Sequence, residues 1–133
     1  MTMKLEVENK KPMSPKNFSS IERNLRALKS YGPHSFAILS KDNGSYVQVA
    51  GGRVTCVVEM RDGERKNHFR AHLEEKKVPF DERLTIAFGG GKLTVDLDEI
   101  LFIEDVIKIF KAFFEDGAMP NEIKWRDISV CLK

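Results

Sequence analysis

The sequence predicts an α+β fold, an antiparallel twisted sheet of about five to seven strands with two helices packed on one face. Three observations predict it. A long apolar stripe at helical spacing lies near the C-terminus, formed by Ile103, Val106, Ile107, Phe110, Phe113 and Phe114. The middle of the chain alternates short β-branched and aromatic runs with Gly, Asn and Asp turns. Those turns are too short for crossover connections, so neighbouring strands pair antiparallel. At 133 residues the chain is read as a single domain with one real core.

Residues 1–13 are polar and mixed; Leu5 and Val7 alternate with charges, so this segment is either an edge strand or a flexible arm. Ser19-Ser20-Ile21-Glu22 fits a capping box opening a helix whose inner face is Ile21, Leu25 and Leu28, with Gly32-Pro33 as its stop. Phe36 and Ile38 begin a strand. Asp42-Asn43-Gly44 is a hairpin turn because Asn and Gly accept positive φ cheaply, and Tyr46, Val47 and Val49 return. Gly51-Gly52 reads as a second turn, residues 53–60 as a central strand, and Asp62-Gly63 as a third turn. Arg65 to Leu73 is the next strand, followed by the solvated loop Glu74-Glu75-Lys76-Lys77 and Pro79. Leu84, Ile86 and Phe88, then Gly89-Gly90-Gly91, then Leu93, Val95 and Leu97 form one more hairpin. The long helix closes at Gly117, read as its left-handed cap, with Pro120 beyond it. Ile123, Trp125 and Ile128 suggest a short closing strand with Trp125 in the core.

Composition narrows the function classes. The hydrophobic share of 41% and charged share of 32% are those of an ordinary globular protein. Lys and Arg total 22 against 20 for Asp and Glu; a net charge of +2 argues neither for nucleic acid nor for a strongly acidic DNA mimic. No apolar run approaches the roughly 18–20 residues of a membrane span, and no apolar signal core opens the chain. Cys56 and Cys131 stand far apart and form no C-x-x-C. They read as reduced, buried thiols of a cytoplasmic protein.

No catalytic set emerges. Gly89-Gly90-Gly91-Lys92 lacks the Ser or Thr and the helix that a phosphate loop needs, so it reads as a turn. His68 and His72 have H-x-x-x-H spacing, but along a strand that spacing spans roughly 13 Å, too far for one metal ion. Glu59, Asp62 and Glu64 interleave with Arg61 and Arg65 as a surface ion-pair cluster or a polar contact patch. No G-x-S-x-G elbow is present. Neither a cofactor nor a metal is expected, and no enzyme activity.

Two stretches carry a resemblance. The phenylalanine-rich helix followed by Gly117-x-x-Pro120-x-x-Ile123-x-Trp125-Arg126-Asp127-Ile128-Ser129 resembles the small immunity proteins of bacterial polymorphic-toxin systems, such as contact-dependent inhibition and type VI secretion. Tyr46–Gly52 and Val57–Gly63 look like strands of the same kind of protein, so the resemblance spans residues 34–129 as short pieces. It implies a cytoplasmic, non-enzymatic protein that binds and inactivates one partner toxin domain; composition adds the expectation of no nucleic acid and no membrane, and leaves the choice of monomer or homodimer open. An adaptor or chaperone-like module for a secreted effector is the alternative, and a small ligand-binding enzyme the third. Contact residues are expected among Arg61, Asp62, Glu64, His68, Arg70 and His72, then Arg23 and Arg26. Charge reversal at Arg61 or Arg70 is expected to weaken binding without altering thermal stability.

Overall fold

Alternation along the strands sends successive side chains to opposite faces of a sheet, and here each face acquires its own apolar cover. A computed structural model describes residues 3–29, 32–52, 55–76, 84–88 and 91–129. In chain order these form β1 (Met3–Val7), α1 (Phe18–Arg26), β2 (Phe36–Lys41), β3 (Tyr46–Gly52), β4 (Thr55–Asp62), β5 (Asn67–His72), β6 (Leu84–Phe88), β7 (Gly91–Val95), a 3-10 turn (Leu97–Glu99), α2 (Ile103–Glu115) and β8 (Lys124–Asp127). Six strands make one antiparallel sheet in the order β1-β2-β3-β4-β5-β8, and β6 and β7 pair with each other as a separate ribbon. The architecture is the α+β class that the sequence predicts, with the Leu84–Val95 hairpin split off from the main sheet.

The segment around Leu5 is an edge strand. Leu5 is fully buried, and Met13 returns to its outer side, with the Leu5 amide donating to the Met13 carbonyl (2.7 Å) and the Met13 amide to that of Leu5 (3.0 Å). That return covers part of an edge that would otherwise offer free backbone groups to another chain.

The main core lies between the sheet and both helices. Val7, Leu39, Val49, Val58 and Ala71 from the strands meet Ile21 and Leu25 of α1 and Val106, Ile109, Phe110 and Phe113 of α2. Val57, one residue before Val58, points the other way and joins Ile86, Val95 and Ile100 beneath the β6–β7 ribbon. Trp125 is half-buried against the main core. No helix among the described residues is long and apolar enough to cross a membrane.

Three local expectations are corrected. The cap of α1 is Asn17, whose Oδ1 accepts the Ser20 amide, so the helix opens before Ser19. The left-handed residue closing α2 is Asp116 (φ 54°, ψ 33°), with the Gly117 amide donating to the Ala112 carbonyl. Gly51 and Gly52 are the end of β3 and not a turn. Gly52 is small for another reason: a Cβ there would lie 2.3 Å from the Leu28 carbonyl oxygen just past α1.

Candidate protein-binding face

Among the described residues, the face of the sheet opposite the helices has an apolar cover at one end only. The β6–β7 ribbon packs near Val57 and Ala50. Beyond it, strand alternation and pairing align Ser40, Tyr46, Arg61 and His68 in one row, and Ile38, Gln48, Glu59, Arg70 and Arg126 in the next. Arg61, His68, Arg70 and His72 therefore share this face, as period-two alternation requires.

The second row is an ion-pair chain. Gln48 Nε2 donates to Glu59 Oε1 (3.1 Å), and Arg70 donates to Glu59 Oε2 from Nε (3.0 Å) and a terminal nitrogen (2.8 Å). The other terminal nitrogen of Arg70 reaches Glu99 Oε1 at 3.4 Å, and Arg126 donates to Glu99 Oε2 (2.7 Å) and Asp98 Oδ2 (2.9 Å). Glu99 is the keystone. Its side chain is only 3% exposed, and it also accepts the Asp96 amide (2.9 Å), which closes the 3-10 turn. The turn itself is fixed by the Leu73 amide donating to the Asp98 carbonyl (2.8 Å).

Both guanidiniums are held charged. At Arg70, burial works against the charge, but the Glu59 hydrogen bond and the Glu59 and Glu99 charges outweigh it and raise the pKa. At Arg126 the hydrogen bond it donates to Asp98 dominates and raises it. Each charged group in this row has at least one partner, although Asp98 Oδ1 is buried with none among the described residues, and these pairs tie the row to the fold.

The first row is different. Among the described residues, Arg61 has no hydrogen-bond or ion-pair partner, and its Nε is buried with no acceptor. Tyr46 and His68 flank it on the neighbouring strands, their rings 6.0 Å apart at 67°. Burial pushes the Tyr46 phenol up, with the Arg61 charge opposing and the Glu59 charge assisting, so the hydroxyl is neutral and can donate.

The other expected contact residues have distinct roles. Asp62 Oδ1 accepts the Glu64 (2.9 Å) and Arg65 (3.3 Å) amides and so shapes the β4–β5 turn, where Glu64 is exposed. His72 sits by the Leu73 carbonyl (3.1 Å), with Asp98 Oδ2 at 3.8 Å. Arg70 is locked inside the ion-pair chain with its side chain 16% exposed, so charge reversal there would disturb the fold as well as the surface. Arg26 is paired with Glu22 (2.9 Å) and Glu104 (2.7 Å) on the helix side, and Arg23 is exposed there.

Tyr46, Asp98 and Glu99 were not among the sequence candidates. Asp96-x-x-Glu99 carries the spacing of a capping box, the one signal that would have marked the turn. Nothing local points to Tyr46, which joins the row only through β3–β4 pairing. No protein-family model matches the chain, and no curated protein matches it.

Proposed function

We propose that the chain is a stoichiometric protein inhibitor, an immunity protein that binds and neutralises one bacterial toxin domain in the cytoplasm through the open half of its sheet. One observation carries this reading. This face sets an arginine with no partner among the described residues, a tyrosine and a histidine in one row beside a chain of ion pairs. Tight interfaces concentrate their energy in a few central aromatic and arginine anchors, surrounded by groups that exclude water. Side chains on sheet strands meet that need because little order has to be created on binding. The resemblance to immunity proteins supplies the class of partner, a toxin domain.

The mechanism proposed is coverage of the toxin's active site, or of a surface it needs to become active, by one copy of this chain. Neither a cofactor nor a chemical step is involved. The test is co-expression of the chain with the C-terminal domain of the large protein encoded immediately upstream. Relief of growth arrest together with a one-to-one complex supports the proposal. A complex whose partner stays active favours an adaptor, and toxicity untouched by the chain contradicts the proposal.

A further inference from the structure

We propose that Tyr46, Arg61 and His68 form a carboxylate-binding anchor, which takes an aspartate or glutamate side chain of the protein partner. The inference rests on the inhibitor reading for the partner's identity as a protein, and on geometry for the chemistry of the group it contributes.

Charge bookkeeping across the open face singles out this row. Lys4 is paired with Glu6 at 3.3 Å, Arg70 with Glu59 and Glu99, Arg126 with Asp98 and Glu99, and Lys124 with Glu74 at 3.7 Å. Arg61 lies between them with no carboxylate of its own among the described residues, although the carboxylate of Glu59 is two residues away on the same strand face. Glu59 is occupied by Gln48 and Arg70. An arginine whose Nε is buried without an acceptor leaves a strong donor unsatisfied. The flat, forked guanidinium is matched best by a carboxylate, which accepts two parallel hydrogen bonds.

The neighbours suit the same ligand. The Tyr46 hydroxyl and the His68 ring have no hydrogen-bond partner among the described residues, and both can donate to an oxygen. Both residues stand on the strands flanking Arg61 and their rings meet at 6.0 Å, and an ion pair formed in so partly buried a row is strengthened by the reduced local dielectric. The three side chains come from three adjacent strands in one register row, so their spacing is fixed by backbone hydrogen bonds.

Two measurements test the anchor. The first follows the arginine Nε–H signals of the isotope-labelled full chain by NMR during titration with a capped glycine–glutamate–glycine peptide, its glutamine counterpart and inorganic phosphate. The expected result is a saturable shift of the Arg61 signal with the glutamate peptide, little change with the glutamine peptide, and still signals for Arg70 and Arg126. Equal shifts from both peptides, no shift, or a preference for phosphate overturns the carboxylate anchor. The second compares affinity for the purified upstream-encoded toxin domain in wild type, Arg61→Lys and Arg61→Gln. Loss of a desolvated charge pair predicts weakening of about thirtyfold or more for Arg61→Gln, with partial retention in Arg61→Lys. A complex unaffected by Arg61→Gln overturns the anchor and leaves the inhibitor reading in place. If no variant forms a complex but the glutamate peptide still shifts Arg61, the carboxylate site stands and the inhibitor reading falls.

Discussion

Single residues divide sharply into those that hold this fold and those left over for a partner. Glu99 is the clearest of the first kind. It accepts hydrogen bonds from Arg70, Arg126 and the Asp96 amide while almost fully buried. Removing one member of such a set strands the others, so Glu99→Ala is expected to destabilise the chain by about 3 kcal/mol, read as a lower midpoint in urea. Arg70→Glu is expected to lower that midpoint too, and Arg61→Gln to leave it nearly unchanged, since Arg61 has no internal partner among the described residues to lose. Cys56 belongs with the structural group. It is fully buried, and burial, helped by the Asp105 charge, pushes its thiol from 9.0 up to about 12. In a Cys131→Ser background it should resist iodoacetamide near neutral pH until the protein unfolds, and rapid labelling would contradict that. Its folded pKa is raised, so its contribution to stability is complete below the unfolded value and declines as pH climbs from there toward about 12.

At the level of elements, most of the fold was legible and the ends of elements were not. The α2 stripe, the Asp42–Gly44 turn and the central position of β4 follow from periodicity and turn chemistry. Caps are harder because several residues nearby have the right chemistry. Asn17, Ser19 and Ser20 are all good N-caps, and only the backbone angle at Asn17 (φ −146°, ψ 166°) decides among them. Asp116 takes the left-handed position beside a glycine because Asp tolerates it and the chain needs it one residue earlier. Glycines mislead in the same way. Gly63 reads as a turn residue, but the structure adds a second constraint, since the β4–β5 turn packs onto the β2–β3 turn. A Cβ at Gly63 would lie 2.2 Å from the Asn43 carbonyl oxygen, and the Gly63 amide donates to Ser45 Oγ at 2.9 Å. Gly63→Ala is therefore expected to cost about 1–3 kcal/mol, measured by chemical denaturation. A change within error would mean that the two turns separate freely.

For the whole molecule, the two faces of the sheet do different work. One is closed by α1 and α2 over a continuous core. The other is closed at one end by the β6–β7 ribbon, and among the described residues nothing covers the other end, where the polar rows lie. Alternation along β5 puts His68, Arg70 and His72 on one face, and β4–β5 pairing adds Arg61 to it. Alternation could not reveal which arginines were already paired, because Glu99 and Asp98 arrive from a turn far along the chain. It could not reveal Tyr46 either, since cross-strand register is not encoded in any local pattern. The inhibitor account makes the open row the contact surface. Hydroxyl-radical footprinting of the chain, alone and with the upstream-encoded toxin domain, reads that surface directly. The account predicts that oxidation of Tyr46 and His68 falls on complex formation while Phe18 and Phe114, on the helix side, are unchanged. Protection of the helix side with Tyr46 and His68 left as reactive as in the free chain would contradict it.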